Sequence, residues 1–199
     1  MKLITLISLI FSIQVSSIQC FAHTVNYYPG APLKIITIGH PTLTQVAEEV
    51  PFAEIQSKEI QNLIDDMIVT MKKAGGVGIA ASQVNVSKRI FIMKPGRKPE
   101  AIINPTVEYI QSAGTKNSRE GCLSIPGKTF KVKRFKNINL SYYKRDGEYV
   151  SERATGFRAI VAQHEYDHLN GIMISDFFYT EYIDIDLEDL KGFDSIPKM

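Results

Sequence analysis

The segment Gln163-His164-Glu165-Tyr166-Asp167-His168 constrains this chain more than any other, because it concentrates polar side chains within a helical pattern. Phe157 and Val161 precede the two histidines at helical spacing, so we expect this face of the helix to point inward. His164 and His168 are four residues apart, which projects both imidazoles from one face about one turn apart. Two nitrogens in that geometry can bind one divalent metal ion.

Glu165 lies beside this histidine pair and can reach a metal-bound water from the side. A carboxylate there can accept the proton of the water, which yields a hydroxide nucleophile near neutral pH. Many metallohydrolases use such a helix, so the segment by itself does not define the reaction. The third metal ligand decides between them.

Three sources of a third ligand can be weighed from the sequence. A metzincin-type site needs a histidine six residues beyond His168, but that position is Ile174. A thermolysin-type site would use a downstream glutamate, where Glu181 and Glu188 are available in a segment with a weak helical pattern. Cys122 stands in a Glu-Gly-Cys-Leu-Ser stretch typical of a tight loop or strand edge. A Cys-His-His set plus water is a sensible open tetrahedral site.

Length and composition define the class of protein. With 199 residues the chain has room for one domain, or two at most. Hydrophobic residues make up 44% and charged residues 22%, which excludes a disordered or fibrous chain. Two cysteines exclude a disulfide scaffold, and a net charge of +2 excludes a strong electrostatic attraction to nucleic acid. We expect a monomer that binds no nucleic acid.

Residues 1–22 have the pattern of a secretory signal peptide. Lys2 precedes an uncharged apolar run over residues 3–15, which is too short to cross a bilayer core of about 30 Å. Small residues follow, and we expect cleavage after Ala22. The mature chain, residues 23–199, would then be a single exported or periplasmic domain with no stable membrane insertion. If the extension is not a working signal, we expect the protein in the cytoplasm.

Periodicity predicts an α+β fold. One apolar stripe predicts a helix over residues 57–74, with Ser57 as its N-cap. A second helix is predicted over residues 157–169, and the acidic tail after Phe178 is expected to be a solvated surface or a weak final helix. Extended segments are predicted over residues 89–93, 101–103, 137–143 and 148–155, the last two joined by an Asp-Gly hairpin turn. Strands between two helices are typical of an α+β arrangement.

A glycine-rich stretch, Gly76-Val77-Gly78-Ile79-Ala80-Ala81-Ser82-Gln83, follows the first predicted helix. Glycines let a backbone approach a ligand closely, but the stretch lacks the residues of a phosphate loop. A helix end followed by small core residues is the usual explanation of such a pattern. Gln83 stands apart, since an amide beside a metal could donate a hydrogen bond to a developing oxyanion.

Taken in order, Gly-x-Gly-Ile-Ala-Ala-x-Gln, Glu-Gly-Cys-Leu-Ser and His-Glu-x-Asp-His resemble the motifs of the peptide deformylase family. The similarity extends over residues 33–178. It implies an α+β fold in which antiparallel or mixed strands wrap around a central metal-binding helix. It also implies a hydrolase that removes the formyl group from N-formylmethionyl peptides and releases formate. Fe(II) would be the usual metal, with Zn(II), Ni(II) or Co(II) as substitutes.

Carried over motif by motif, the resemblance implies a role for each matching residue. Cys122, His164 and His168 would bind the metal. Glu165 would be the general acid and base. Gln83 and the backbone N–H of Leu123 would stabilise the oxyanion. The residues expected to contact the substrate backbone or line its methionine pocket are Val77, Gly78, Gly121, Ile160 and Val161.

The resemblance bears on two further positions, Arg134 and Ser82. Arg134 falls where the family often has an arginine after the cysteine motif, and we expect it to hold Glu120 or its loop. Ser82 stands where the family often has proline, at a position that tolerates variation.

One alternative function is a metallopeptidase that uses a downstream glutamate as its third ligand, with Cys122 outside the metal site. The other is a non-catalytic protein that binds formylated peptides or metal.

Overall fold

Two α-helices and eight β-strands form the described part of the chain, residues 30–177 and 181–183 of a computed structural model. The helices are α1 at Lys58–Lys73 and α2 at Gly156–Leu169. A 3₁₀ turn at Ala81–Val84 follows strand β1. The strands are β1 at Gly78–Ala80, β2 at Ile90–Met93, β3 at Glu100–Tyr109, β4 at Thr115–Cys122, β5 at Ile125–Phe135, β6 at Asn137–Tyr143, β7 at Tyr149–Thr155 and β8 at Glu181–Ile183.

The described strands form two antiparallel sheets. One sheet has five strands in the order β1-β2-β3-β6-β7, and the other has three in the order β4-β5-β8. Helix α2 contacts β1, β2 and β7 of the first sheet and β5 of the second. The predicted α+β fold is confirmed, with strands wrapped around a central helix.

Helix α1 has the ends that the sequence predicts. Ser57 Oγ accepts a hydrogen bond from the backbone N–H of Ile60 at 3.3 Å, which satisfies one donor of the first turn. Beyond the last turn, Gly75 has a φ of 69°, the left-handed conformation that ends many helices. The apolar stripe faces the core, where Ile60, Ile64, Met67 and Met71 are buried.

Helix α2 is buried from Ala159 to its last residue, Leu169, with Tyr166 partly exposed. Val161 is fully buried, as its spacing predicts. The same expectation is wrong for Phe157, which is 39% exposed. Phe157 lies in the first turn, directly after the edge strand β7, and burial begins two residues later. The inward face of α2 therefore starts later than the pattern implies and coincides with the histidine segment.

Strand β3 is much longer than the predicted extended segment at residues 101–103. Asn104 has a φ of 49°, and the register with β6 shifts between Ile103 and Thr106. This bulge interrupts the alternation by which a strand is recognised in a sequence. The second half of β3 is therefore not visible in the sequence pattern.

The remaining strands differ in how well the sequence predicts them. Strands β6 and β7 form the predicted hairpin, and Gly147 in its turn has a φ of 85°. Strands β2 and β7 begin one residue later than predicted. Strands β4 and β5 have no counterpart in the prediction, because β4 has no apolar residue before Cys122 and β5 carries a buried charge, Arg134, on its inward face. Cys122 is the last residue of β4, which confirms its expected place at a strand edge.

Both ends of the chain lie largely outside the described residues. This holds for the expected signal peptide at residues 1–22 and for Glu188 in the acidic tail. Within that tail, Glu181–Ile183 is strand β8 paired with β5, which corrects the expected weak helix at those residues. Among the described helices, none is long and apolar enough to cross a membrane.

Gln163 fastens α2 to strand β5. Its Oε1 accepts a hydrogen bond from the backbone N–H of Phe135 at 2.9 Å. Its Nε2 donates to the carbonyl of Phe135, also at 2.9 Å. Gln163 is 2% exposed, so water has little access to replace these bonds. The paired hydrogen bonds fix the position of the helix directly before its first histidine.

Replacing Gln163 with leucine should destabilise the protein by about 2–4 kcal/mol, because both backbone groups of Phe135 would lose a partner. Urea unfolding of Gln163→Leu against the unchanged protein measures this loss. Gln45 is exposed, and Gln45→Leu is the matched control, with an expected change below about 0.5 kcal/mol. An unchanged unfolding midpoint for Gln163→Leu would contradict the fastening role.

Candidate metal centre

Cys122 is presented by a two-residue hairpin turn. It pairs with Ile125 across the turn formed by Leu123 and Ser124, which joins β4 to β5. Its side chain is buried, and the backbone N–H groups of Ser124 and Ile125 hydrogen-bond the sulfur. Burial raises the pKa of the Cys122 thiol to about 12 despite those two bonds. The tight turn thus places one buried sulfur at the tip of the hairpin.

The sulfur converges with the two imidazoles of α2. The ligand atoms of Cys122, His164 and His168 all lie within 4.8 Å of one another. Cys122 Sγ lies 3.3 Å from Nε2 of His168. Burial lowers the pKa of His168 well below its ordinary value, which keeps the imidazole neutral and able to bind a metal.

Several buried polar atoms at this convergence have no hydrogen-bond partner among the described residues. They are Nε2 of His164, Nδ1 of His168 and both carboxylate oxygens of Glu165. Burying a polar atom without a partner costs free energy, and in native proteins most such atoms bind an ion or a water or have a catalytic role. One sulfur and two nitrogens form a donor set typical of an open tetrahedral site. The residues present therefore fit a divalent metal ion.

Glu165 is fully buried and lies against Gly78. Burial raises the pKa of its carboxyl group well above the ordinary value, although the charge of Arg134 opposes this. A Cβ added at Gly78 would collide with Oε1 of Glu165. Gly78 is therefore required for space, because any larger residue would displace the carboxylate.

Glu120 orients His164 from the side away from the site. Glu120 Oε2 lies 3.0 Å from Nδ1 of His164, and Arg134 donates to both oxygens of Glu120 at 2.8–3.2 Å. Burial opposes ionisation of Glu120, but the hydrogen bonds of His164 and Arg134 outweigh it and lower the pKa to about 2. An ionised carboxylate only accepts hydrogen bonds, so Nδ1 of His164 carries the hydrogen and Nε2 keeps its lone pair.

Arg134 holds two carboxylates at once. Besides Glu120, it donates to Oδ2 of Asp167, which lies on α2 between the two histidines. Its side chain is almost fully buried, and its guanidinium lies 5.2 Å from the centre of the Phe177 ring. The prediction that Arg134 holds Glu120 is confirmed. The sequence reading missed Asp167, although its place within the histidine segment was a usable signal.

Gln83 reaches the site from the 3₁₀ turn. Its Oε1 accepts a hydrogen bond from the backbone N–H of Ala80 at 2.9 Å, which fixes the direction of the amide. Its Nε2 faces the hairpin tip, 3.2 Å from Ser124 Oγ and 3.6 Å from Cys122 Sγ. A buried N–H donor therefore lies beside the sulfur. The sequence reading missed Ser124, whose hydroxyl helps to hold this amide.

The predicted substrate residues lie close in the chain to the residues of the site. Val77, Ile160 and Val161 belong to one hydrophobic cluster with the core of the five-stranded sheet. Gly121 and Leu123 are partly buried and flank Cys122 in the chain. Ile160 and Val161 lie on α2, Gly121 and Leu123 lie in the cysteine hairpin, and Gly78 is the first residue of β1, with Val77 directly before it. The contacts of these residues with a substrate stay a prediction.

A family model, Polypeptide deformylase, matches residues 32–181. The chain belongs to this family. Peptide deformylase from Halothermothrix orenii is 46% identical over 146 residues, 72% of this chain and 92% of that protein. Peptide deformylase from Fusobacterium nucleatum is 43% identical over 141 residues, 70% of this chain and 80% of that protein. The class I type b peptide deformylase from Acinetobacter baumannii, solved with Met-Ala-Ser bound, is 33% identical with a TM-score of 0.70 and covers 73% of this chain and 98% of that chain.

Membership of the polypeptide deformylase family confirms the resemblance read from the three motifs. The matched residues span all three motifs and both ligand-bearing elements. The deformylase fold of the solved relatives agrees with the α+β arrangement described above.

Replacing Arg134 with methionine should destabilise the metal-free deformylase by about 3–5 kcal/mol, because Glu120 would stay buried with its main counter-charge removed. Chemical unfolding after treatment with a chelator measures the loss. Arg145 forms an exposed pair with Asp65 at 3.0 Å, and Arg145→Met is the control, with an expected loss below about 1 kcal/mol. Equal losses in the two variants would contradict a special role for the buried arginine.

Proposed function

We propose that this protein is a metal-dependent hydrolase that removes the N-terminal formyl group from N-formylmethionyl peptides and releases formate. The observation that carries the proposal is the convergence of Cys122 with His164 and His168, whose ligand atoms lie within 4.8 Å of one another beside the unpartnered carboxylate of Glu165. Family membership supports the same reaction.

In the proposed mechanism, Glu165 moves the protons. When bound by the three ligands, a divalent metal ion supplies Lewis acidity that makes a water molecule nucleophilic near neutral pH. Oε of Glu165 accepts the proton of the attacking water and then delivers it to the amine that leaves with the peptide. Burial raises the pKa of Glu165, which favours the protonated form that the second transfer requires.

Two N–H donors would stabilise the charge that develops on the formyl oxygen. Nε2 of Gln83 already faces the site, 3.6 Å from Cys122 Sγ. The backbone N–H of Leu123 is the second donor, directly after Cys122 in the hairpin turn. Donors held in place before the reaction cost no reorganisation when the charge appears.

The substrate would extend from this site along the glycine-rich stretch. The Acinetobacter baumannii relative is solved with Met-Ala-Ser bound, which supports a peptide that begins with methionine. We assign Val77, Ile160 and Val161 to the methionine pocket, since they lie in one hydrophobic cluster. Gly78 and Gly121 would hydrogen-bond the peptide backbone or line its path.

The proposed metal in the cell is Fe(II), with Zn(II), Ni(II) or Co(II) as substitutes. A thiolate ligand suits soft or borderline metals such as these. Fe(II) reacts with oxygen beside a thiolate that oxidises readily, whereas Zn(II) has no redox chemistry, so the Fe(II) form should lose activity in air faster than the Zn(II) form.

Glu165→Gln should reduce formate release from formyl-Met-Ala-Ser by about 10²–10⁴-fold, because glutamine cannot accept the proton of the water. The metal content should stay at the level of the unchanged protein, since Glu165 is not a proposed ligand. Both are measured on one preparation, by formate assay and by elemental analysis. Glu100→Gln alters a carboxylate that pairs with Arg158 away from the site, and it should leave the rate unchanged.

The outcomes separate the alternatives. Full activity in Glu165→Gln would refute the assigned role. Tight binding of the formylated peptide with no turnover by the unchanged protein would support the non-catalytic alternative. Metal retained in Cys122→Ser but lost in Glu181→Gln or Glu188→Gln would support the metallopeptidase alternative.

We also propose that residues 1–22 direct export and that the mature protein is a monomer. The support is the basic start, short apolar run and small residues of the N-terminal segment. Mass spectrometry of the purified protein should then find His23 as the first residue, and sedimentation should give the mass of one mature chain. A protein that retains Met1 and stays in the cytoplasm would contradict the export proposal.

A further inference from the structure

His168 lies in the last turn of α2, one residue before the helix ends at Leu169. The last four carbonyls of a helix have no intrahelical partner, and helix ends fray. His164 lies one turn further in and is oriented by Glu120. His168 is therefore the proposed ligand whose placement depends most on what binds the end of the helix.

The hydroxyl of Ser82 donates to the backbone carbonyl of His168 at 3.2 Å. Ser82 is 1% exposed, so this hydroxyl has little access to water. The backbone N–H of Gly171 is a second donor to the same carbonyl, at 3.3 Å. Ser82 thus contributes a side-chain bond to the residue that carries the proposed metal ligand, from a different element of the fold.

The next carbonyl, that of Leu169, is bound by other groups. The backbone N–H of Ala47 donates to it at 2.9 Å, and Nη1 of Arg89 donates at 3.3 Å. The guanidinium of Arg89 also lies 5.4 Å from the centre of the Tyr166 ring. A cation at a helix C-terminus is stabilising as well. These bonds hold the carbonyl that follows His168, whereas the hydroxyl of Ser82 binds the carbonyl of His168 itself.

The turn that carries Ser82 also holds the cysteine hairpin. Gln83, the next residue, donates to Ser124 Oγ at 3.2 Å and to Cys122 Sγ at 3.6 Å. Two adjacent side chains of Ala81–Val84 therefore connect to the two elements that supply the proposed ligands. Cys122 and His168 are 46 residues apart in the chain, so such a connection is needed to fix their separation.

We propose that Ser82 is a positioning residue for the metal ligand His168. With Gln83 it sets the distance between the Cys122 sulfur and the His168 imidazole, which is 3.3 Å here. The inference rests on the proposed metal centre. Preorganised ligands bind a metal more tightly than ligands that must be ordered.

Cobalt titration of the metal-free protein tests this role without an activity assay. We expect Ser82→Ala to bind Co(II) about tenfold more weakly than the unchanged protein, with an altered thiolate-to-cobalt absorption band. Ser82→Thr keeps a hydroxyl and should bind within about twofold of the unchanged protein, with the original band.

Thr70→Ala is the matched control. Thr70 is 3% exposed, and its hydroxyl donates to a helix carbonyl, that of Asp66, at 2.6 Å, but on α1. Its loss should lower the unfolding midpoint and leave the Co(II) affinity unchanged. The comparison separates a loss of stability from a loss of ligand placement.

Two results would overturn the inference. The first is a Co(II) affinity and spectrum of Ser82→Ala equal to those of the unchanged protein, whatever its unfolding midpoint. The second is an equal loss of affinity in Thr70→Ala. Failure of the unchanged protein to bind one Co(II) per chain would overturn the proposed function, and this inference with it.

Discussion

The contact between Cys122 Sγ and His168 Nε2, 3.3 Å long, is the constraint on which the rest of the site depends. The sulfur comes from the tip of a hairpin and the imidazole from a helix, and neither element places its side chain alone. The tight turn between β4 and β5 aims the sulfur inward, and burial of α2 on both sheets brings the imidazoles to it. Gly78 leaves the space that Glu165 needs beside them. A shared divalent cation accounts for Nε2 of His164, which is otherwise buried without a partner among the described residues.

The charges around this contact are set by one buried side chain, the guanidinium of Arg134. Arg134 is bound to Glu120 and Asp167, so its charge is compensated on two sides. The ionised Glu120 in turn fixes the hydrogen of His164 on Nδ1 and leaves Nε2 for a metal. Glu165 has no such ion pair, and burial raises its pKa. The surroundings thus shift the pKa values of two glutamates close to one helix in opposite directions, which separates a structural role from a chemical one.

The sequence predicts some parts of this protein well and others poorly, for physical reasons. Helix α1 is visible because its apolar residues recur on one face, and the hairpin of β6 and β7 because Asp-Gly marks its turn. The long strand β3 is hidden by a bulge at Asn104. Strand β4, which ends at Cys122, has no apolar residue before the cysteine, so residue patterns left the third ligand open and only the family resemblance assigned it to Cys122. The convergence of residues far apart in the chain and the bond from Ser82 to His168 are tertiary features, and no local pattern encodes them.

The central claim is that one sulfur and two imidazole nitrogens bind the same ion. X-ray absorption at the zinc edge of the zinc-loaded full-length protein tests it most directly. We predict one sulfur neighbour at about 2.3 Å and two nitrogen neighbours at about 2.0–2.1 Å, with the sulfur absent in Cys122→Ser. A spectrum with only nitrogen and oxygen neighbours in the unchanged protein would contradict it.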